Sequence, residues 1–159
     1  MRCLTLRCTR RATAGFARFR PRVNSNVRRH PMPDPLDTSP CELCTLTDVV
    51  LQNALAYVRY DNNSLSRGHV LVVPKRHVAG FFDMSKDEQV AVLDLLGEAQ
   101  RHIQLTFSPD GYNIGVNIGV AGGQSRMHVH VHLIPRYAGD VPNPSGGVRC
   151  VLSSSQRAA

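Results

Sequence analysis

The sequence predicts an α+β domain: a mostly antiparallel sheet packed on one long helix, with a shorter helix beside it. Three observations carry this expectation. MSKDEQVAVLDLLGEAQRHIQLTF (84–107) repeats its apolar residues at helical spacing. ALAYVRY (54–60) and YNIGVNI (112–118) alternate as strands do, and HVLVVP (69–74) is a nearly continuous β-branched run. Several strands in succession around a single helix favour α+β over a repeating βαβ order.

In chain order, Pro31, Pro33, Pro35 and Pro40 stiffen a linker ahead of residue 41. ALAYVRY is rich in strand formers, and DNNSLSRG (61–68) supplies the Asn, Ser and Gly of a turn. HVLVVP reads as a central strand buried on both faces and closed by Pro74. In the helix, Ser85 and Glu88 have capping-box spacing, and Val92, Leu96, Ala99 and Ile103 mark the buried stripe. Gly97 interrupts that helix and suggests close packing on the sheet. YNIGVNI places Tyr112, Ile114, Val116 and Ile118 on one face and Asn113 and Asn117 on the other. The Gly-rich loop GVAGGQS (119–125) leads into the last strand, MHVHVHLIP.

The formal charge of +7 is unevenly placed. Residues 1–31 hold nine arginines and no Asp or Glu, whereas from Met32 onward ten Lys and Arg face twelve Asp and Glu. The basic character belongs to a tail, so an extended nucleic-acid surface is not expected. Residues 1–31 read as a disordered or weakly packed segment: an organellar transit peptide, an overhang ahead of a start at Met32, or a basic binding arm. The expected divisions are the tail 1–31, the Pro-rich linker 32–40, the domain 41–149 and a flexible segment 150–159. No run reaches transmembrane length, so no membrane association is expected. Five cysteines without a secretory signal fit a reducing compartment. The expected location is cytoplasmic, or mitochondrial if the tail is a transit peptide. Cys41 and Cys44 form C-x-x-C, a metal or redox pair; Cys3, Cys8 and Cys150 have no assigned role.

RMHVHVHLIPR (126–136) sets His128, His130 and His132 at alternate positions. In a strand they share one face, with Val129, Val131 and Leu133 on the other. Such a row could be a metal site, a nucleophile with helpers, or solvated polar residues. No Asp or Glu lies between Asp110 and Asp140 to complete a mixed metal site. The preceding Gly122, Gly123, Gln124 and Ser125 offer groups suited to phosphate oxygens, and a neutral imidazole can attack phosphorus.

The segment His128-Val-His130-Val-His132-Leu-Ile134 resembles the motif of the histidine triad (HIT) superfamily of nucleotide hydrolases and transferases. RGHVLVVPKRHV (67–78) is similar to the family's strand and PxxH segment, and GYNIGVNIGVAGGQS (111–125) to its Asn-bearing strand and glycine loop. LIPRYAGDVPNPSGGVR (133–149) resembles the corresponding segment of prokaryotic-type diadenosine polyphosphate hydrolase-like members. The resemblance covers about residues 41–149.

What it implies is an enzyme whose His130 attacks the α-phosphate of a purine nucleotide conjugate, followed by hydrolysis to a nucleoside monophosphate. His132 would contact the phosphate, His128 would orient the nucleophile through its backbone carbonyl, and His69 would stand beside the site. Gln124 and Ser125 would meet phosphate oxygens and leaving group, Asn117 phosphate and ribose, and Asp61 the ribose hydroxyls. A structural zinc on Cys41, Cys44, His77 and His128 is implied, with no metal needed at the attacking step. So is a homodimer joined edge to edge. An adenosine phosphoramidase, a nucleotidyl transferase, or a nucleotide- or zinc-binding interaction module remain alternatives.

Overall fold

The structure, a computed structural model, describes residues 41–148. The expectations for 1–31, 32–40 and 149–159 lie outside the described residues. Within them the chain forms β1 (Val49–Gln52), β2 (Ala56–Tyr60), β3 (Val70–Pro74), α1 (Lys86–Phe107), β4 (Gly111–Val116) and β5 (Val131–Arg136). The sheet order is β1-β2-β3-β5-β4, and every neighbouring pair is antiparallel. The expected fold is therefore present. Its shorter helical elements, among the described residues, are single 3-10 turns at Glu42–Cys44, Phe81–Asp83 and Val120–Gly122.

The helix forms where the sequence marks it. The Ser85 side chain accepts from the Glu88 N–H, and Glu88 Oε2 accepts from the Ser85 N–H at 2.8 Å, completing the capping box. Arg76 donates to both Glu88 oxygens at 2.7 Å, which holds that carboxyl at about 2. Ser108 ends the helix in the left-handed region. Val92, Leu95, Leu96, Ala99 and Ile103 are buried against Ala56, Val58, Val70, Val72, Val129, Val131 and Leu133. Each of the Val, Leu and Ile side chains contributes about 1.5–3 kcal/mol by leaving water. Gly97 departs from expectation: a Cβ there would meet only Arg101 Nη1 at 3.8 Å, so nothing packs closely on it.

The opposite face of the sheet is covered differently. Tyr57, Leu71 and Val73 pack with Leu43 of the Glu42–Cys44 turn, and Tyr57 donates its hydroxyl proton to the Leu43 carbonyl at 2.6 Å. Burial pushes the Tyr57 phenol up to about 12. The turn carrying the C-x-x-C is thus fastened to the sheet by the packing of Leu43 and by the Tyr57 hydrogen bond.

Two boundaries differ from the alternation pattern. Residues 54 and 55 belong to the β1–β2 turn, because Asn53 Oδ1 accepts from the N–H groups of Leu55 and Ala56. β4 ends at Val116, so Asn117 lies just beyond the strand. β1 is an element the sequence reading did not assign, a four-residue edge strand with an irregular register between Val49 and Leu51. No helix among the described residues is long and apolar enough to cross a membrane.

Candidate functional site

β5 begins its ladder at Val131, yet the alternation of sides starts earlier. Val129, Val131 and Leu133 enter the core beneath α1. His128, His130 and His132 therefore fall on the other face, as the period of two requires. Ahead of the ladder, the Val129 N–H donates to the Val78 carbonyl at 2.8 Å, not to a sheet partner.

The three imidazoles have different surroundings, and backbone partners decide their tautomers, since a carbonyl only accepts and an N–H only donates. His128 is fully buried, and burial lowers its pKa, so it is held neutral. Its Nε2–H donates to the Pro74 carbonyl at 2.9 Å. Nδ1 is left as a lone pair, 3.5 Å from both Cys41 Sγ and Cys44 Sγ. His77 Nδ1 lies 3.2 Å from Cys44 Sγ, and the four donor atoms lie within 4.8 Å of one another. A tetrahedral zinc with ordinary Zn–S and Zn–N bonds has S···N edges of about 3.6 Å. The donor set, its spacing and the His128 tautomer therefore fit a zinc ion. Burial and the neighbouring Cys41 raise the Cys44 thiol.

His130 is turned the other way. Its Nδ1–H donates to the His128 carbonyl at 2.9 Å, which in the neutral ring leaves Nε2 as the lone pair. His132 stands beside it, ring centroids 5.0 Å apart. Nδ1 of His69 accepts from the Leu65 N–H at 3.2 Å, so His69 Nε2–H donates to His132 Nδ1 at 3.1 Å. His132 Nε2 then carries the proton. Burial, followed by His130 and His69, holds His132 down at about 4, and burial also lowers His69; both rings are neutral near pH 7. Asp61 Oδ2 lies 3.5 Å from His69 Nδ1 and 3.7 Å from His132 Nδ1, too weak an influence to offset the burial of either ring. One lone pair and one N–H donor thus sit side by side.

They face a cavity of about 510 Å³, within the usual range for small-molecule sites. His69, His130, His132, Asp61, Asn117 and Ser125 line it. The His128 side chain does not; it faces the two cysteine sulfurs, and only its carbonyl serves the cavity side. Gln124, expected at phosphate oxygens, is not brought to the cavity either. Its Nε2 donates to the Ala79 and Arg126 carbonyls at 2.6 and 3.0 Å, and its Oε1 accepts from the Gly119 N–H at 2.7 Å. A buried amide satisfied at both ends shapes the glycine loop; it has no free group for a ligand.

The sequence reading passed over the far end of this cavity, where Glu42, Arg59, Asn62 and Arg126 line the wall with Leu43 and Leu71. Arg59 pairs in register with Leu71, and Leu71 with His132, so the three form one row across β2, β3 and β5. The available signal was the period of two: Arg59 stands two residues before Asp61 and shares its face.

A five-stranded antiparallel sheet on one long helix, with two differently wired histidines over a cavity of about 510 Å³, defines the class: an α+β fold with a histidine-centred pocket. Residues 45–139, more than half of the chain, match the HIT domain model, and the chain belongs to the HIT domain family. It is 36% identical over 93 residues to an AP-4-A phosphorylase of Mycobacterium tuberculosis, covering 58% of this chain and 48% of that protein. It is 41% identical over 73 residues to a bis(5'-nucleosyl)-tetraphosphatase [asymmetrical] of Schizosaccharomyces pombe, covering 46% of this chain and 40% of that one. The chain thus spans about half the length, or less, of these two curated relatives. A HIT family protein of Bacillus anthracis superposes with a TM-score of 0.60 at 28% identity, covering 64% of this chain and 77% of that one. A Zn-bound histidine triad family protein of Mycobacterium smegmatis superposes with a TM-score of 0.58 at 26% identity, covering 63% and 77%.

Proposed function

We propose that this chain is a nucleotide hydrolase that cleaves a nucleotidyl phosphoanhydride of the dinucleoside polyphosphate kind through a nucleotidyl-histidine. The observation that carries the reading is the bond from His130 Nδ1–H to the His128 carbonyl, because it leaves the Nε2 lone pair on the cavity side. In the first step that lone pair bonds to the α-phosphorus while the phosphorus–oxygen bond to the leaving group breaks. The leaving group departs with the electron pair and takes up a proton. Water then bonds to phosphorus as the phosphorus–nitrogen bond breaks, releasing a nucleoside monophosphate and a proton and restoring neutral imidazole. Two displacements replace one hard one.

The other residues bind and orient. His132 Nε2–H donates to a phosphate oxygen, Ser125 and Asn117 contact the phosphate chain, and the Asp61 carboxylate accepts from the ribose hydroxyls. His69 acts through His132 by holding its tautomer. Zinc on Cys41, Cys44, His77 and His128 belongs to the same proposal; bound there, it supplies a structural cross-link between the Glu42–Cys44 turn and the sheet. A homodimer through the β4 edge, where Ile114 is half exposed, completes it.

The names of the relatives support a dinucleoside polyphosphate substrate, and the phosphorylase favours a second reading in which inorganic phosphate, not water, takes the nucleotidyl group from His130. A single-turnover trap with labelled diadenosine tetraphosphate tests the proposal. A covalent adduct lost in His130→Ala is expected, and turnover by His130→Ala at the wild-type rate would overturn it. Adding phosphate separates the two readings, and an adenosine phosphoramidate run alongside tests the leaving group.

A further inference from the structure

We infer that the Glu42–Arg59–Asn62 cluster reads the base of the bound nucleotide and favours guanine over adenine. The inference rests on the proposal that the cavity takes a nucleotide, and it names the base that proposal leaves open. Arg59 projects from β2 on the cavity face and is almost wholly buried, with 3% of its surface exposed. Its Nη2 donates to Asn62 Oδ1 at 3.3 Å and lies 3.8 Å from Glu42 Oε1. Its Nη1 is buried with no hydrogen-bond acceptor among the described residues. An unpaired donor on a buried guanidinium is costly, and an acceptor brought by a ligand relieves that cost.

Position decides which part of a nucleotide supplies the acceptor. Arg59, Leu71 and His132 stand in one row, so Arg59 is two strand spacings, roughly 9–10 Å, from the histidine beside the phosphate. That distance matches the span from an α-phosphate to the far edge of its base. Between the two ends, Asp61 is placed for the ribose, and Leu71 with Leu43 offers the apolar surface a flat ring needs. A second phosphate group would not match this apolar floor.

The polar groups then choose among bases. Arginine donors match the O6 and N7 acceptors of guanine. The Glu42 carboxylate, held by Asn62 Nδ2 at 3.0 Å and by Arg126 Nη2 at 3.3 Å, matches the N1–H and N2–H donors on the adjoining edge. Adenine keeps the N7 acceptor, but it puts an amino donor where guanine has O6 and has no N–H at N1 or N2, so Arg59 loses one of its two acceptors and Glu42 both of its donors.

Calorimetric titration of the full chain with GMP and with AMP tests this. GMP should bind roughly tenfold more tightly. Glu42→Gln, on a half-exposed side chain, and Arg59→Leu should each bring the ratio towards one while AMP affinity stays within about threefold. If Arg59→Leu fails to fold, Glu42→Gln alone decides the matter. Equal binding of the two nucleotides by the wild type, or a ratio unchanged in the variants, overturns base reading. That result leaves the hydrolase proposal standing if an adenylated His130 still forms. A guanine preference without any covalent adduct does the reverse.

Discussion

Nδ1 of His130 and the carbonyl oxygen of His128 lie 2.9 Å apart. That contact divides two residues of one motif into a side chain for the cavity and a backbone for support. The same His128 places its ring nitrogens between the Pro74 carbonyl and two thiols. A residue that looks equivalent to its neighbours in sequence thus joins two sites through its two ends.

Replacing the nucleophile should be decisive. His130→Ala is expected to lower kcat for diadenosine tetraphosphate by at least about a thousandfold, with GMP and AMP affinity largely retained. His132→Ala should lower kcat less, since it removes a donor and leaves the attacking lone pair in place. Comparison of steady-state rates with equilibrium binding checks both.

Zinc should be a structural requirement. Purified protein is expected to hold one zinc per chain, and Cys41→Ser with Cys44→Ser should abolish binding and lower the melting temperature. Tyr57→Phe should act in the same direction more weakly, by about 1 kcal/mol, because it frees the Leu43 carbonyl. A zinc-free wild type with an unchanged melting temperature would remove the zinc proposal.

Acid should lower the stability of the domain over two pH windows. The folded pKa of His132 is about 4, below its free value of 6.5, so the unfolded chain binds more protons between those values. Stability is therefore full above about pH 6.5 and declines as pH falls through 4. Glu88 repeats the pattern lower down, from its free value of 4.5 to about 2. Denaturant melts of wild type and Glu88→Gln should differ most above pH 4.5, and converge only as pH falls through about 2 and the folded carboxyl takes up its proton.

The helix carries a removable weakness. Gly97→Ala should stabilise the protein by ~0.5–1 kcal/mol, because the added Cβ meets only the end of Arg101. Thermal denaturation at fixed pH measures it, and a lower melting temperature would show that the position does need glycine.

If two copies join along β4, Ile114→Lys should convert a dimer to a monomer in light scattering without changing the melting of the isolated sheet contacts. A wild type that runs as a monomer at every concentration would exclude that arrangement.

The sequence by itself determined the elements whose signals are local. The Ser85–Glu88 box, the stripe from Val92 to Ile103 and the β-branched run of β3 needed no distant partner to be read. The alternation of His128, His130 and His132 likewise assigned them to one face. The family resemblance implied the cysteines for His128 and the attack for His130, but tertiary structure alone decided which ring nitrogen each histidine presents and set His69 against His132. It withdrew Gln124 into the glycine loop, where its amide is satisfied three times over, and showed Gly97 to be free of the sheet. It also brought Arg59 of β2 and Glu42 of the C-x-x-C turn to the same wall. The physical reason is that a side chain's period along a strand is set by the backbone. Its partners are set by which strands pair and in what register, and those contacts join residues far apart in the chain.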